Sequence, residues 1–308
     1  MVKIISSITS FSLFFITGIT IAFIIKKNDS SENIFKTIET LFFSLALPSI
    51  LFVQILKSYD MQNPLSLLPR LFLLALIIIF ASALSVFILR FTVKRSLFKL
   101  LALCILIPNA FMIPVLFIYD DMGLSNSVMS LYAIFSIFFI PAYLTAMRLF
   151  GRIKSNKEAL KKSLSLIFIS QVLALFISAT SLYNYLPWMI YIQFETIQLL
   201  TIPLIVLLLG FYLIKSLPHL RGIDFQNTGI FLLLKHILIP LITFISIYIF
   251  NIEYKFAVSL LLIASSPMNP IFLEENEDKK SSHQIFFFSM LCSALLIPLS
   301  MYLLNLLY

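Results

Sequence analysis

The sequence predicts an all-α membrane protein of ten transmembrane helices, built as two inverted five-helix repeats whose fourth and ninth helices are broken and cross. Three observations predict it. Apolar residues make up 60% of the 308 and charged residues only 12%, with a mean hydropathy of +1.03. A soluble domain carries about 25% charge, and a core of this length could not hide so many Leu, Ile and Phe side chains, whereas lipid tails solvate them. The apolar residues fall into continuous runs of about 20, the length that crosses the hydrocarbon as helix, without the alternation of a barrel strand. Prolines inside these runs recur at a nearly fixed offset.

Taken in order, the runs lie near 4–25, 34–56, 65–89, 97–119, 125–147, 160–181, 190–214, 229–250, 254–273 and 284–307. The first is too long for a signal-peptide core and is followed by Lys26-Lys27-Asn28-Asp29, not by small residues, so it reads as a retained span. Connections are short; the longest hydrophilic stretch, Arg148 to Lys162, reads as the linker between halves 1–150 and 151–308, which form one integrated transmembrane domain. Odd-numbered loops hold 18 of the 22 Lys and Arg, Lys235 being assigned to the loop before the eighth span. Positive loops stay cytoplasmic, so the chain is expected in a cell (inner) membrane with both termini on the outer, periplasmic side. The same rule accounts for the net charge of +8 without a nucleic-acid partner. His236 is expected at the interface, His219 and His283 in loops, and Tyr183, Tyr185, Trp188 and Tyr191 in an outer aromatic belt.

The repeat rests on Pro48 and Pro203, Pro114 and Pro270, and Pro141 and Pro298, offset by 155, 156 and 157. Phe138-Phe139-Ile140-Pro141 is echoed by Leu295-Leu296-Ile297-Pro298, and Glu39-Thr40 by Glu195-Thr196. An odd number of spans per half turns the second half upside down, the arrangement of secondary carriers with a midplane site between halves.

The fourth span contains Pro108, Asn109 and Pro114; the ninth contains Ser265, Ser266, Pro267, Asn269 and Pro270. Paired prolines remove amide donors and clash with carbonyls one turn back, which breaks a helix. In hydrocarbon the freed groups must face protein or a polar cavity, and half-helix N-termini would present partial positive charge there. Asn109 and Asn269 can donate and accept hydrogen bonds, which suits a carboxylate. Ser265 and Ser266 either add hydroxyls to this site or only back-bond to the preceding turn. Single prolines such as Pro48 and Pro141 read as kinks.

The motifs Ser44-Leu45-Ala46-Leu47-Pro48-Ser49-Ile50-Leu51-Phe52, Pro108-Asn109 with Ile113-Pro114 and Gly123, Thr201-Ile202-Pro203-Leu204 with Leu209-Gly210-Phe211-Tyr212-Leu213, Pro267, and Ile297-Pro298 follow one another in an order that resembles the auxin efflux carrier family, within the superfamily of bile-acid, arsenite and riboflavin transporters. The resemblance implies ten helices with crossing fourth and ninth members, a secondary active carrier or permease for a small organic anion such as a mono- or dicarboxylate, and Asn109 as the contact to its carboxylate. Asn109 and Pro114 stand five apart, closer than in that family, and Glu274 to Asp278 follows the ninth-span segment closely.

Glu39 and Glu195 are candidates for proton coupling, because ionisable residues in spans are costly; Glu39 also has Lys36 three residues before it as a simple surface partner. Gln54, Gln171, Gln193 and Gln198 read as hydrogen-bond partners between helices, and Cys104 and Cys292 as small buried hydrophobes. No motif of an intramembrane enzyme, cofactor site or metal site is visible. The expected partners are an organic anion, the bilayer, protons, and a second copy of the chain in a homodimer. Two alternatives stay open: a sodium-coupled symporter of the same fold, for which Asp120-Asp121 falls in a loop and not mid-span, and a transport-inactive sensor.

Overall fold

The computed structural model describes residues 16–25, 31–57, 64–107, 112–119, 126–150, 165–180, 182–185, 192–194, 196–197, 199–270, 273 and 278–308. Helix dominates them throughout. In chain order the helices are α1 (Ile16–Ile25), α2 (Glu32–Lys57), α3 (Pro64–Thr92), α4 (Arg95–Leu106), α5 (Ile113–Tyr119), α6 (Val128–Leu149), α7 (Leu166–Ala179), α8 (Thr201–Ser216), α9 (Phe225–Ile249), α10 (Tyr254–Ala264) and α11 (Lys279–Leu307). Six of these, α8 being counted with its 3₁₀ extension to Leu220, are long and apolar enough to cross a membrane. Shorter apolar helices are α1, most of α4, α7 and α10.

The outer surface fits a membrane protein. On α3 the exposed residues Phe72, Leu76, Phe80, Leu84, Phe87 and Phe91 recur at helical spacing, and on α9 Leu233, Ile237, Leu241 and Ile245 do the same. A water-soluble helix turns such a stripe inward; here apolar stripes face out, as lipid requires. The inward faces are apolar too, with small polar residues between them: Ser49, Ser82, Ser85, Ser130 and Thr243 are all buried.

Packing places α6 between α2 and α10, α7 against the second half of α2, and α9 against α3, α10 and α11. Helices α1 and α8 cross with their backbones in contact, because Gly18 meets Gly210 and neither carries a side chain. At one end of the bundle Arg70 of α3 pairs with Glu253 at 3.3 Å and lies over the Phe256 ring at 4.2 Å, while Tyr254 donates to Asn305 of α11 at 2.6 Å.

Each in-span proline is accommodated differently. Pro48 and Pro240 cannot donate to the carbonyls of Ser44 and His236, and in both places the helix widens to π geometry just before the ring, over Phe42–Ala46 and Leu233–Leu238. Amides of Leu47 and Ile239 then reach five residues back, to Phe42 and Leu234. Before Pro141 the chain tightens to 3₁₀ over Ser136–Phe138. Pro203 sits in the first turn of α8, where no donor is needed; upstream, in the run predicted from 190, residues 192–194 and 196–197 are helical and 199–200 form a turn before Thr201.

Candidate functional site

The two proline-paired segments are both interrupted. Helix α4 ends at Leu106, Ile107 leaves the helical region at φ −116° and ψ 87°, Met112 is a bend, and α5 begins at Ile113 with buried Pro114 in its first turn. Pro108 and Asn109 lie outside the described residues. Helix α10 ends at Ala264, short of the predicted 273. Ser265 and Ser266 close a tight turn, and Pro267 to Pro270 continue irregularly. Pro267, Met268 and Pro270 are buried and Asn269 is half-buried.

Buried irregular backbone must find partners, and at the ninth segment helix α11 supplies them. Ser293 Oγ donates to the Ser265 carbonyl at 2.9 Å, and the Met268 amide donates to Ser289 Oγ at 2.9 Å. Ser266 Oγ donates back to the Ile263 carbonyl at 2.7 Å, so of the two readings its hydroxyl follows the back-bonding one. Ser265 Oγ lies 3.5 Å from Ser300 Oγ. The Ser265 carbonyl and the Met268 amide are therefore satisfied by serines spaced along one face of α11.

Lys235 and His236 require a correction. Both were expected at the edge of the membrane, Lys235 in a loop. Instead Asp224 caps the start of α9, accepting from the Asn227 amide at 3.2 Å, so the helix begins at Phe225. Lys235 is then ten residues in, about 15 Å along the helix axis at 1.5 Å per residue. Both residues are buried, 1% and 2% exposed, in the π segment before Pro240. A capping aspartate at 224 and a proline at 240 were the sequence signals that bracket them. His283, expected in a loop, is also buried: it lies in the second turn of α11, 2.9 Å from Ser216 Oγ through Nδ1, and stacks on His219 at 4.5 Å.

His236 is joined to the ninth segment through Ser289, and Lys235 lies within electrostatic reach of the fourth. Ser289 Oγ, which takes the Met268 amide, also meets His236 Nε2 at 2.8 Å. Lys235 is within electrostatic reach of Cys104, in the last turn of α4. Nδ1 of His236 is buried without a partner among the described residues. Lys235 likewise has no hydrogen bond or ion pair among them, and none of the buried described residues is an Asp or Glu.

The remaining candidates divide. Glu39 accepts from Tyr212 of α8 at 2.6 Å rather than pairing with Lys36, and so joins α2 to α8. Glu195 lies outside the described residues, as do Gln198, Asp120, Asp121 and Trp188. Gln171 ties α7 to α6 through Ala133 O at 3.0 Å and Ser136 Oγ at 2.6 Å. Gln54 is buried with Oε1 unpartnered among the described residues, and Gln193 is exposed. Cys104 is buried and Cys292 half-buried, both as free thiols. No group of three metal-ligating side chains occurs among the described residues. No family model matches the chain and no curated protein matches it in sequence, so the functional case rests on this geometry.

Proposed function

We propose that this chain is a secondary carrier that moves a small organic anion across the membrane it spans. Its ten helical segments form two inverted halves, 1–150 and 151–308, with the substrate held between the interrupted fourth and ninth segments. The observation that carries the reading is that helices α4 and α10 stop inside the apolar bundle, at Leu106 and Ala264, and both connect to the buried Lys235–His236 pair. Broken helices around a polar centre are what a midplane site needs, and buried ionisable residues in a membrane bundle mark substrate or ion paths. Inversion is supported by Thr201, whose buried hydroxyl donates to the Ala46 carbonyl at 3.4 Å: the two positions are 155 apart in sequence, the repeat offset, and symmetry mates meet in this way where a pseudo-two-fold axis passes between them.

In this reading Asn109, Pro108 and Pro114 from one half face Asn269, Pro267 and Pro270 from the other, with Ser265 and Ser266 behind them. Glu39 and its mate Glu195 would carry protons if transport is proton-linked. The reading follows the order of motifs that resembles the auxin efflux carriers, and it carries with it an expected inner-membrane location with both termini outside. Purified protein in liposomes should exchange labelled carboxylates, and Asn109→Ala should abolish the exchange. Background flux for every mono- and dicarboxylate tried would end the proposal.

A further inference from the structure

Independently of the carrier reading, we infer that the crevice between α2 and α7 is a lipid site that seats one acyl chain of the surrounding bilayer. A groove of about 360 Å³ runs there. On α7 its wall is Leu166, Ile169, Ser170, Leu173 and Ile177, one stripe at helical spacing. On α2 it is Ser44, Leu45, Pro48 and Ser49, where the helix passes from π geometry back to α. Phe52 and Phe194, their ring centroids 4.9 Å apart, complete the lining.

Chemistry selects the occupant. No charged side chain lines the groove. Its three serines donate their hydrogens within their own helices: Ser44 to the Thr40 carbonyl, Ser49 to the Leu45 carbonyl at 2.7 Å and Ser170 to the Ile167 carbonyl at 2.8 Å. An anion or an ordered water would find no free side-chain donor here, and a methylene chain needs none. The rim residues Leu45, Leu166, Ile169 and Leu173 are exposed, so the groove is continuous with the apolar outer surface. Dimensions then decide between lipid and a second copy of the chain. From Leu166 to Ile177 the α7 wall extends about 16 Å at 1.5 Å per residue. That is close to half of the roughly 30 Å hydrocarbon, the depth one acyl chain occupies in its leaflet. A helix about 10 Å across would fill 360 Å³ in less than one turn, too little to seat a helix of a second copy.

The test uses the full-length protein, reconstituted in liposomes of a phosphatidylcholine that carries a diazirine midway along one acyl chain. The protein is then extracted and washed in detergent, which dilutes away exchanging lipid, before irradiation, digestion and mass spectrometry. Retained label should map to Leu45, Ile169 and Leu173, several-fold above the exposed α3 residues Phe72, Phe80 and Phe87, which meet only exchanging lipid. Ser170→Trp, which fills the groove, should reduce groove labelling to the α3 level. No retained label, label spread equally over the groove and α3, or undiminished groove labelling in folded Ser170→Trp each overturns the inference. So does an unlabelled groove whose residues cross-link to a second copy of the chain. Where Ser170→Trp does not fold, the wild-type map decides by itself. Carboxylate flux in liposomes tests the carrier reading alone, so the two stand or fall separately.

Discussion

Replacing Gly210 by alanine should destabilise the protein, whereas the same change at Gly229 should stabilise it, although both glycines sit inside helices. A methyl group built at Gly210 falls onto the Gly18 carbonyl and within 2.7 Å of the Ile19 nitrogen. Those are backbone atoms of another helix and cannot rotate aside. Helices α1 and α8 must separate, and overpacking of this kind costs about 1–3 kcal/mol. Alanine recovers about 1 kcal/mol through helix propensity, leaving a net loss of up to about 2 kcal/mol. At Gly229 a methyl group meets nothing within 4 Å, so only the propensity gain remains. The propensity gain is common to both, so the two variants should differ by the overpacking cost, about 1–3 kcal/mol. At about 2–4 °C per kcal/mol for larger domains, that separates their melting temperatures in detergent by roughly 2–12 °C, with wild type between them. Gly210→Ala melting at or above wild type would refute the close crossing of α1 and α8.

Ser289→Ala removes the single hydroxyl that serves the Met268 amide and His236 Nε2, and should cost about 2–3 kcal/mol in thermal unfolding, with Ser289→Thr retaining most of it. Gln171→Leu strips the side-chain bonds joining α7 to α6 and should cost about 1 kcal/mol, while Gln171→Glu should be worse because it buries a charge. Asp224, held below the usual carboxylate range by hydrogen bonds from the Asn227 side chain and amide, caps α9. Its contribution is complete above the unfolded carboxylate value near 3.9 and is lost as pH falls through its lower folded value. Asp224→Ala should thus cost about 1 kcal/mol at pH 7, with the gap from wild type closing below about pH 4; a constant gap down to pH 2 would show that the cap is not ionic.

Tandem prolines announced their breaks in the sequence because the missing amide and the ring clash are local, and Leu106 and Ala264 end their helices where Pro108 and Pro267 follow. Single prolines announced less. Whether Pro48 produces a π bulge, Pro141 a 3₁₀ turn or Pro203 a helix start depends on what the neighbouring helices can accommodate. Serines 265 and 266 drew attention by their place in the break, yet the hydroxyls that satisfy that backbone belong to Ser289 and Ser293, a separate helix away.

Apolar content and run length alone determined that this chain partitions into a bilayer as helices, since transfer of side chains into lipid is a sum over composition. The location of Lys235 and His236 was decided only by tertiary structure. Burial of a charge depends on where the helix starts and which faces its neighbours cover, and both follow from contacts distant in sequence: α3 and α11 against α9, and Cys104 beside the ammonium.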